Sequence, residues 1–420
     1  MRVRTAMLAI LTTTVGLVAA CSGESTDDTS EAGIRLQVSG EPEEVAAFSA
    51  IAEAYQQTTS AVTIEVVAVA EKSDHLARLS SSFAAGNPPD VFVVNYREYA
   101  QFVTRGAIEP AGPLLDERGI DNSDYYPQSL DAFTYEGQLQ CMPQNISSLV
   151  VYYNRTLFDR AGMEPPKACW SLSDLQSNAR SLTTGKTYGI GVEPSLTRLA
   201  PFIWSAGGDV VDDATAPTRL TLDTPQARGV IQTFIDMIDE GSAPDGAAYA
   251  AQGLEDRFAA GTLAMLLTSR REVPGFREVI GLDFDVAPLP VIDTPASVLH
   301  SDAYCIANNA DTAAAADFIA FAVQSQGQTI AALSGRSVPA LKQVAKSPAF
   351  LDPSRPPPSS HVFLDAIPSI RALPVWPTWG EVEDVAEEEL TRAYFEGAPL
   401  AEVLVELDER TQPILARGAS

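Results

Sequence analysis

Apolar and polar positions alternate along the chain in two periods that take turns. Ile34-Arg-Leu-Gln-Val38 alternates with period two, as a strand with one buried face does. Val45, Phe48, Ile51 and Tyr55 then fall three, three and four apart, which places them on one side of a helix. The β-branched run 62–70, VTIEVVAVA, predicts a second strand. Leu76, Leu79 and Phe83 predict a second helix, closed by Gly86. PDVFVVN, 89–95, is a short unbroken apolar run of the kind found in a buried parallel strand, and REYAQFVTRGAI returns to helix. This alternation predicts a parallel sheet with helical crossovers in the first hundred residues.

The same style continues. LQCMPQNISSLVVYYN (139–154) is extended, with a strand at Leu149 to Tyr153, and SLSDLQSNARSL and RLAPFIWSAGG read as helices. DTPQARGVIQTFIDMIDEG (223–241) carries the fullest helix signals: Thr224 to N-cap, Pro225 at the first helical position and Gly241 to close. LAMLLTS, FDVAPLP and LHSDAYCIANN read as extended segments. The Ala-rich helix after them belongs with the first sheet, and the tail forms two amphipathic helices. SRPPPSS (354–360) reads as a surface crossing.

The N-terminus departs from both periods. Arg2 and Arg4 precede a mostly apolar stretch that ends Val18-Ala19-Ala20-Cys21, the layout of a secretory signal and too short to span a bilayer. Cysteine after small residues resembles a bacterial lipobox, whose thiol is acylated; the alternative is an ordinary signal peptide with a cysteine near its end. SGESTDDTSEAG follows with no apolar residue larger than Ala, which reads as a solvated tether. The expected location is therefore outside the cell, lipid-anchored to the outer face of the membrane through Cys21.

Removal of residues 1–20 takes two arginines with it and moves the formal charge from −27 to −29. Charge of that sign excludes long-range attraction to nucleic acid. A mature chain of about 400 residues suits two lobes better than one core. Of four cysteines, a lipidated Cys21 leaves Cys141, Cys169 and Cys305, so one bridge at most can form. Catalytic signatures are missing: His75, His300 and His361 show no metal spacing, and neither C-x-x-C nor G-x-S-x-G occurs. Gly185-Lys-Thr187 imitates the end of a phosphate loop, but Arg180 stands where that loop needs Gly. No enzyme activity, metal or cofactor is expected.

SSFAAGNPPDVFVVN (81–95), LQCMPQNISSLVVYYNRTLFDRAGMEPP (139–166), APFIWSAGGDVV (200–211), RFAAGTLAMLLTSR (257–270) and GRSVPALKQVAKSP (335–348) occur in order. Together they resemble the extracellular solute-binding proteins of ABC importers, in the branch that includes maltose-binding and glycerol-phosphate-binding proteins. The resemblance implies an α/β periplasmic-binding-protein fold, two lobes of mostly parallel sheet flanked by helices and joined by hinge crossings. It implies lobe 1 from 34–140 with 306–365 and lobe 2 from 141–305 with 366–420, after a signal peptide (1–20) and a tether (21–33). Two crossings would carry Cys141 and Cys305, close enough to pair as a disulfide; a buried free thiol is the ordinary reading of Cys169.

The implied function is capture of a mono- or oligosaccharide for the transmembrane subunits of an ABC permease, by a monomer. A glycerophosphodiester or uronate is the alternative ligand, and a surface hydrolase on the same scaffold a further one. A sugar site needs aromatic faces for C–H surfaces and planar polar groups for hydroxyls. Where such proteins bring loops to the cleft, this chain offers Glu41; Asn95, Tyr96 and Arg97 after the PDVFVV strand; and Gln144, Asn145 and Ser147 on the first crossing. It also offers Arg198 and Trp204; Ser269 with Arg270 after LAMLL; His300, Asp302 and Tyr304 on the return crossing; and Trp379. Several have a purely structural alternative. Trp204 can be core, Glu41 can start a helix, and of the adjacent Arg270 and Arg271 only one can face the ligand.

Overall fold

A computed structural model describes residues 32–59 and 62–419; the signal, Cys21 and most of the tether lie outside the described residues. In chain order the main elements are β1 (Ala32–Ser39), α1 (Pro42–Gln56), β2 (Val62–Val69), α2 (Lys72–Ala84), β3 (Val91–Asn95), α3 (Tyr96–Val103), β4 (Ile108–Glu109), β5 (Cys141–Pro143), β6 (Val150–Asn154) and β7 (Tyr188–Gly191). They continue with α4 (Leu196–Ser205), α5 (Pro225–Asp239), β8 (Leu263–Thr268), β9 (Phe284–Ala287), β10 (Asp302–Ala307), α6 (Thr312–Val323), α7 (Ser325–Ser334), α8 (Trp379–Phe395) and α9 (Leu400–Gly418).

Two sheets organise these elements. In the first, β2, β1 and β3 run parallel, with Ile34 beside Ile64 and Leu36 beside both Val66 and Val91. The crossovers α1 and α2 bury Phe48, Ile51 and Leu79 against it. β10 then enters antiparallel to β3, and β4 and β5 pair with β10. The second sheet has the order β9-β6-β8-β7, and every residue of β8 is buried. Its apolar strands pack a ring cluster of Tyr152, Phe258, Phe276, Phe284 and Phe363. Gly189 in β7 is required by a close approach: a Cβ there would stand 1.9 Å from the Ala179 carbonyl oxygen. α5 has the expected start and stop, with Thr224 Oγ1 accepting from the Ala227 amide and Gly241 at φ 80°.

β10 places the chain's return crossing directly against the outgoing one. Cys305 sits opposite Cys141 in the β10–β5 pairing, and the two form a disulfide with Cα atoms 4.4 Å apart. The thiol of Cys169 is exposed, contrary to the expectation of a buried one. Its backbone takes φ 63°, which turns the chain so that Trp170 goes inward and donates from Nε1 to the Pro288 carbonyl at 2.8 Å. The ring occupies the interior that the small thiol would otherwise share. The 354–360 loop is exposed from Ser354 to Pro356 but buries Pro357 and Ser360.

Because the disulfide closes a loop across 164 positions, it removes much disorder from the unfolded chain. The double variant Cys141→Ala/Cys305→Ala is expected to lose about 2–5 kcal/mol of stability, read as a lower thermal midpoint. Reductant should lower the wild-type midpoint and leave that of the double variant unchanged.

Candidate ligand site

In an open α/β sheet the parallel strands all end at one edge, and the loops that follow them form a crevice. Here the ends of β1, β2 and β3 do this. A cavity of about 430 Å³ is lined by the residues after each of them, by both crossings, by Ser269 and Arg271 beyond β8 of the second sheet, and by Arg336 and Ser337.

Asp302, at the start of β10, holds the floor. Its two carboxylate oxygens accept from Asn95 Nδ2 and from Asn145 Nδ2, each at 3.0 Å. Asn145 Oδ1 in turn accepts from the Asp302 amide at 2.8 Å, which makes the second contact reciprocal. Asn95 Oδ1 accepts from Arg97 Nε at 3.1 Å, and Arg97 Nη1 donates to both oxygens of Glu383 in α8, at 2.6 and 2.7 Å. The other cations facing the cavity are paired too. Arg336 meets Glu44 at 2.6 Å, Lys72 meets Glu98 at 2.5 Å and Arg271 meets Glu272 at 2.9 Å.

Burial then decides several protonation states. His75 donates from Nε2 to the Val93 carbonyl at 2.9 Å, so Nδ1 accepts from Gln37 Nε2 at 3.2 Å. Burial lowers its pKa and keeps it neutral. His300 is lowered much further, by burial and then by the positive charges of Arg198, Arg97 and Arg271. Glu44 goes the other way. Its carboxylate lies over Gly40, where a Cβ would meet Oε2 at 2.1 Å, and the glycine has φ 152°. Burial raises its pKa to about 7, against the lowering effect of Arg336 and with help from Asp302.

Of the side chains named from the sequence, Glu41, Asn95, Arg97, Asn145, Ser147, Ser269, His300 and Asp302 line this cavity. The rest stand elsewhere. Tyr96 is fully buried and its hydroxyl accepts from the Leu373 amide; Tyr304 packs edge-on between Phe48 and Phe318. Gln144 lines a separate small pocket beside Phe48 and Ile51. Arg198 pairs with Glu193 at 3.1 Å, and Trp204 is covered by the Arg371 guanidinium, 4.7 Å from its ring centre. Trp379 is wholly buried at the start of α8. Arg270 is buried over the Phe350 and Phe363 rings, at 4.2 and 5.2 Å, so the neighbouring Arg271 is the one that faces the cavity. Among the described residues no Phe, Tyr or Trp lines the cavity, where aromatic platforms were expected.

Glu44, Glu71, Lys72, Glu98 and Arg336 were not anticipated. For Glu71 and Lys72 the strand-end rule that picked Asn95 applies equally to β2. Glu44 lies one helical turn beyond Glu41, and Glu98 follows Arg97 directly. Arg336 carries no local signal, because only the fold brings it to Glu44.

Folded Glu44 retains a proton that the unfolded chain releases near pH 4.5, so its contribution to stability falls as pH rises from there to about 7. A carboxyl-carbon NMR titration should place its midpoint at about 7. Asp302→Asn should move that midpoint down, and Arg336→Gln should move it up.

Comparison with known proteins shows the family and the fold. The family model described as bacterial extracellular solute-binding protein matches residues 50–356. A putative binding protein of Brucella abortus is 24% identical over 365 residues, covering 81% of this chain and 83% of its own. An ABC substrate-binding protein of Listeria monocytogenes, solved in complex with cycloalternan, superposes with a TM-score of 0.84 at 21% identity over 92% of this chain and 99% of its own. UgpB of Mycobacterium tuberculosis, solved with glycerophosphocholine, gives 0.80 at 20% identity over 92% and 99%. The two-lobed periplasmic-binding-protein fold is thus the fold of this chain. The chain belongs to the bacterial extracellular solute-binding proteins, and it is a binding protein, not an enzyme.

Proposed function

We propose that this protein is the lipid-anchored substrate-binding component of an ABC importer, and that it captures a small polyhydroxylated ligand, a mono- or short oligosaccharide, for a membrane permease. The observation that carries the ligand class is the Asn95–Asp302–Asn145 girdle at the floor of the cavity. Amides and a carboxylate fixed in place are suited to bonding several hydroxyls at once, since both Asp302 oxygens and Asn145 Oδ1 each accept one bond and retain a free lone pair. The cavity volume of about 430 Å³ lies in the range of small-molecule sites. Cycloalternan in the Listeria protein supports a carbohydrate.

The arginines that suggested an anionic ligand lose that force, because Arg97, Arg336 and Arg271 are each matched by a carboxylate. A phosphodiester or uronate would have to compete with those partners. Ligand contacts from both sheets, through Asp302 on one side and Ser269 and Arg271 on the other, favour a closed arrangement and shift the population toward it. Among the described residues no helix is long and apolar enough to cross a membrane. The proposed anchor is the acylated Cys21 of the lipobox-like segment.

Isothermal titration with neutral sugars, uronates and glycerophosphodiesters tests the ligand class. A sugar without an acidic group should bind and be recovered intact, and Asp302→Ala should weaken it about 10–100-fold, the loss of a hydrogen-bonded charged group. Tightest binding of a uronate or phosphodiester would overturn this reading. For the anchor, Cys21→Ser should abolish labelling by a radioactive fatty acid and release the protein into the medium.

A further inference from the structure

Three side chains on the cavity wall carry buried polar atoms with no partner: Glu98 Oε2, Ser147 Oγ and His300 Nε2. Buried polar atoms are costly when unmatched, so three orphans on residues that line one cavity bear on what fills it. Glu98 is the most demanding, being charged and only 5% exposed. Its Oε1 is matched by Lys72 Nζ, but that lysine side chain is 59% exposed, so the pairing comes from the wet side. The second oxygen is left to the interior.

The charge balance of the cavity has the same sign. Five carboxyl groups line it, on Glu41, Glu44, Glu71, Glu98 and Asp302, with Glu44 about half protonated at pH 7, against four cations. Two of those cations, Arg97 and Arg271, are matched by Glu383 and Glu272, which stand behind the wall. Asp302 receives only neutral amides. His75 feels both Glu98 and Asp302, yet burial holds it neutral, so it supplies no counter-charge. With Arg97 and Arg271 matched from outside the lining, the wall carries more negative than positive charge, and Glu98 Oε2 is an acceptor without a donor.

We propose that the ligand carries an ammonium group, as on an amino sugar or another amine-bearing polyol, with its nitrogen seated on Glu98 Oε2 in the field of Asp302. This rests on the polyol reading above and narrows it. An ammonium offers three donors and one charge, which answers both the orphan oxygen and the excess of carboxylates. Ser147 Oγ and His300 Nε2 remain for the ligand's hydroxyls. N-acetylation would remove the charge and add bulk at the same atom.

The test uses matched sets titrated into the full mature protein: glucose, glucosamine and N-acetylglucosamine, the galactose and mannose equivalents, and glucuronate. In at least one set the amine should bind about tenfold or more tightly than its neutral and acetylated forms. That advantage should shrink between about 20 mM and about 0.5 M salt, as screening weakens the charge term. Glu98→Gln should bring the amine-to-neutral ratio toward one. Should that variant not fold, the ratio and its salt dependence in the wild type still decide. Neutral and amino sugars binding alike would overturn this proposal and leave the polyol reading intact. Glucuronate binding best would overturn both, and no binding of any of these monosaccharides would overturn this proposal.

Discussion

The carboxylate of Asp302 ties together three parts of the chain that are far apart in sequence. One oxygen holds Asn95, 207 positions away, and the other holds Asn145, 157 positions away. Without it, the end of β3 and the outgoing crossing would each present an unmatched amide to the cavity. The tie also fixes Asn95 as acceptor for Arg97, which reaches on to Glu383 in α8. One half-buried carboxylate thus orders a network from the first sheet to the tail helices. The disulfide lies three residues further along the same strand and secures the same pair of crossings covalently.

That network leaves the cavity with few cations free of a partner. Its cations are spent on internal pairing, and its imidazoles are held neutral by burial. Even Glu44, paired with Arg336, retains its proton to unusually high pH because desolvation outweighs the pairing. What remains available is a set of amides, hydroxyls and carboxylates around a space without aromatic walls.

The side chains that stand outside the cavity share a cause. Tyr96, Tyr304, Trp204 and Trp379 bury large rings in packed layers, where each gains more from removal of apolar area than from facing solvent in a cleft. Their positions at strand and helix ends fit either role, and periodicity cannot separate a ring turned inward from one turned to a ligand. Arg270 and Arg271 differ by one step along the chain, yet one stacks on phenylalanines and the other meets the cavity. Cys169 was displaced outward by the ring next to it.

Local pattern alone carried the alternation of strand and helix, the parallel β2-β1-β3 part of the first sheet, and the caps of α5, but not the antiparallel entry of β10. These follow from local period and end chemistry, which neighbouring residues carry among themselves. The family resemblance marked Asn95, Asn145 and Asp302, because such proteins bring those segments to the cleft. The pairing of Arg97 with Glu383 and of Arg336 with Glu44 was decided only by the tertiary structure. So were the inward turn of the aromatic rings and the orphan oxygen of Glu98. Each depends on which distant segment arrives alongside, and no local pattern records that.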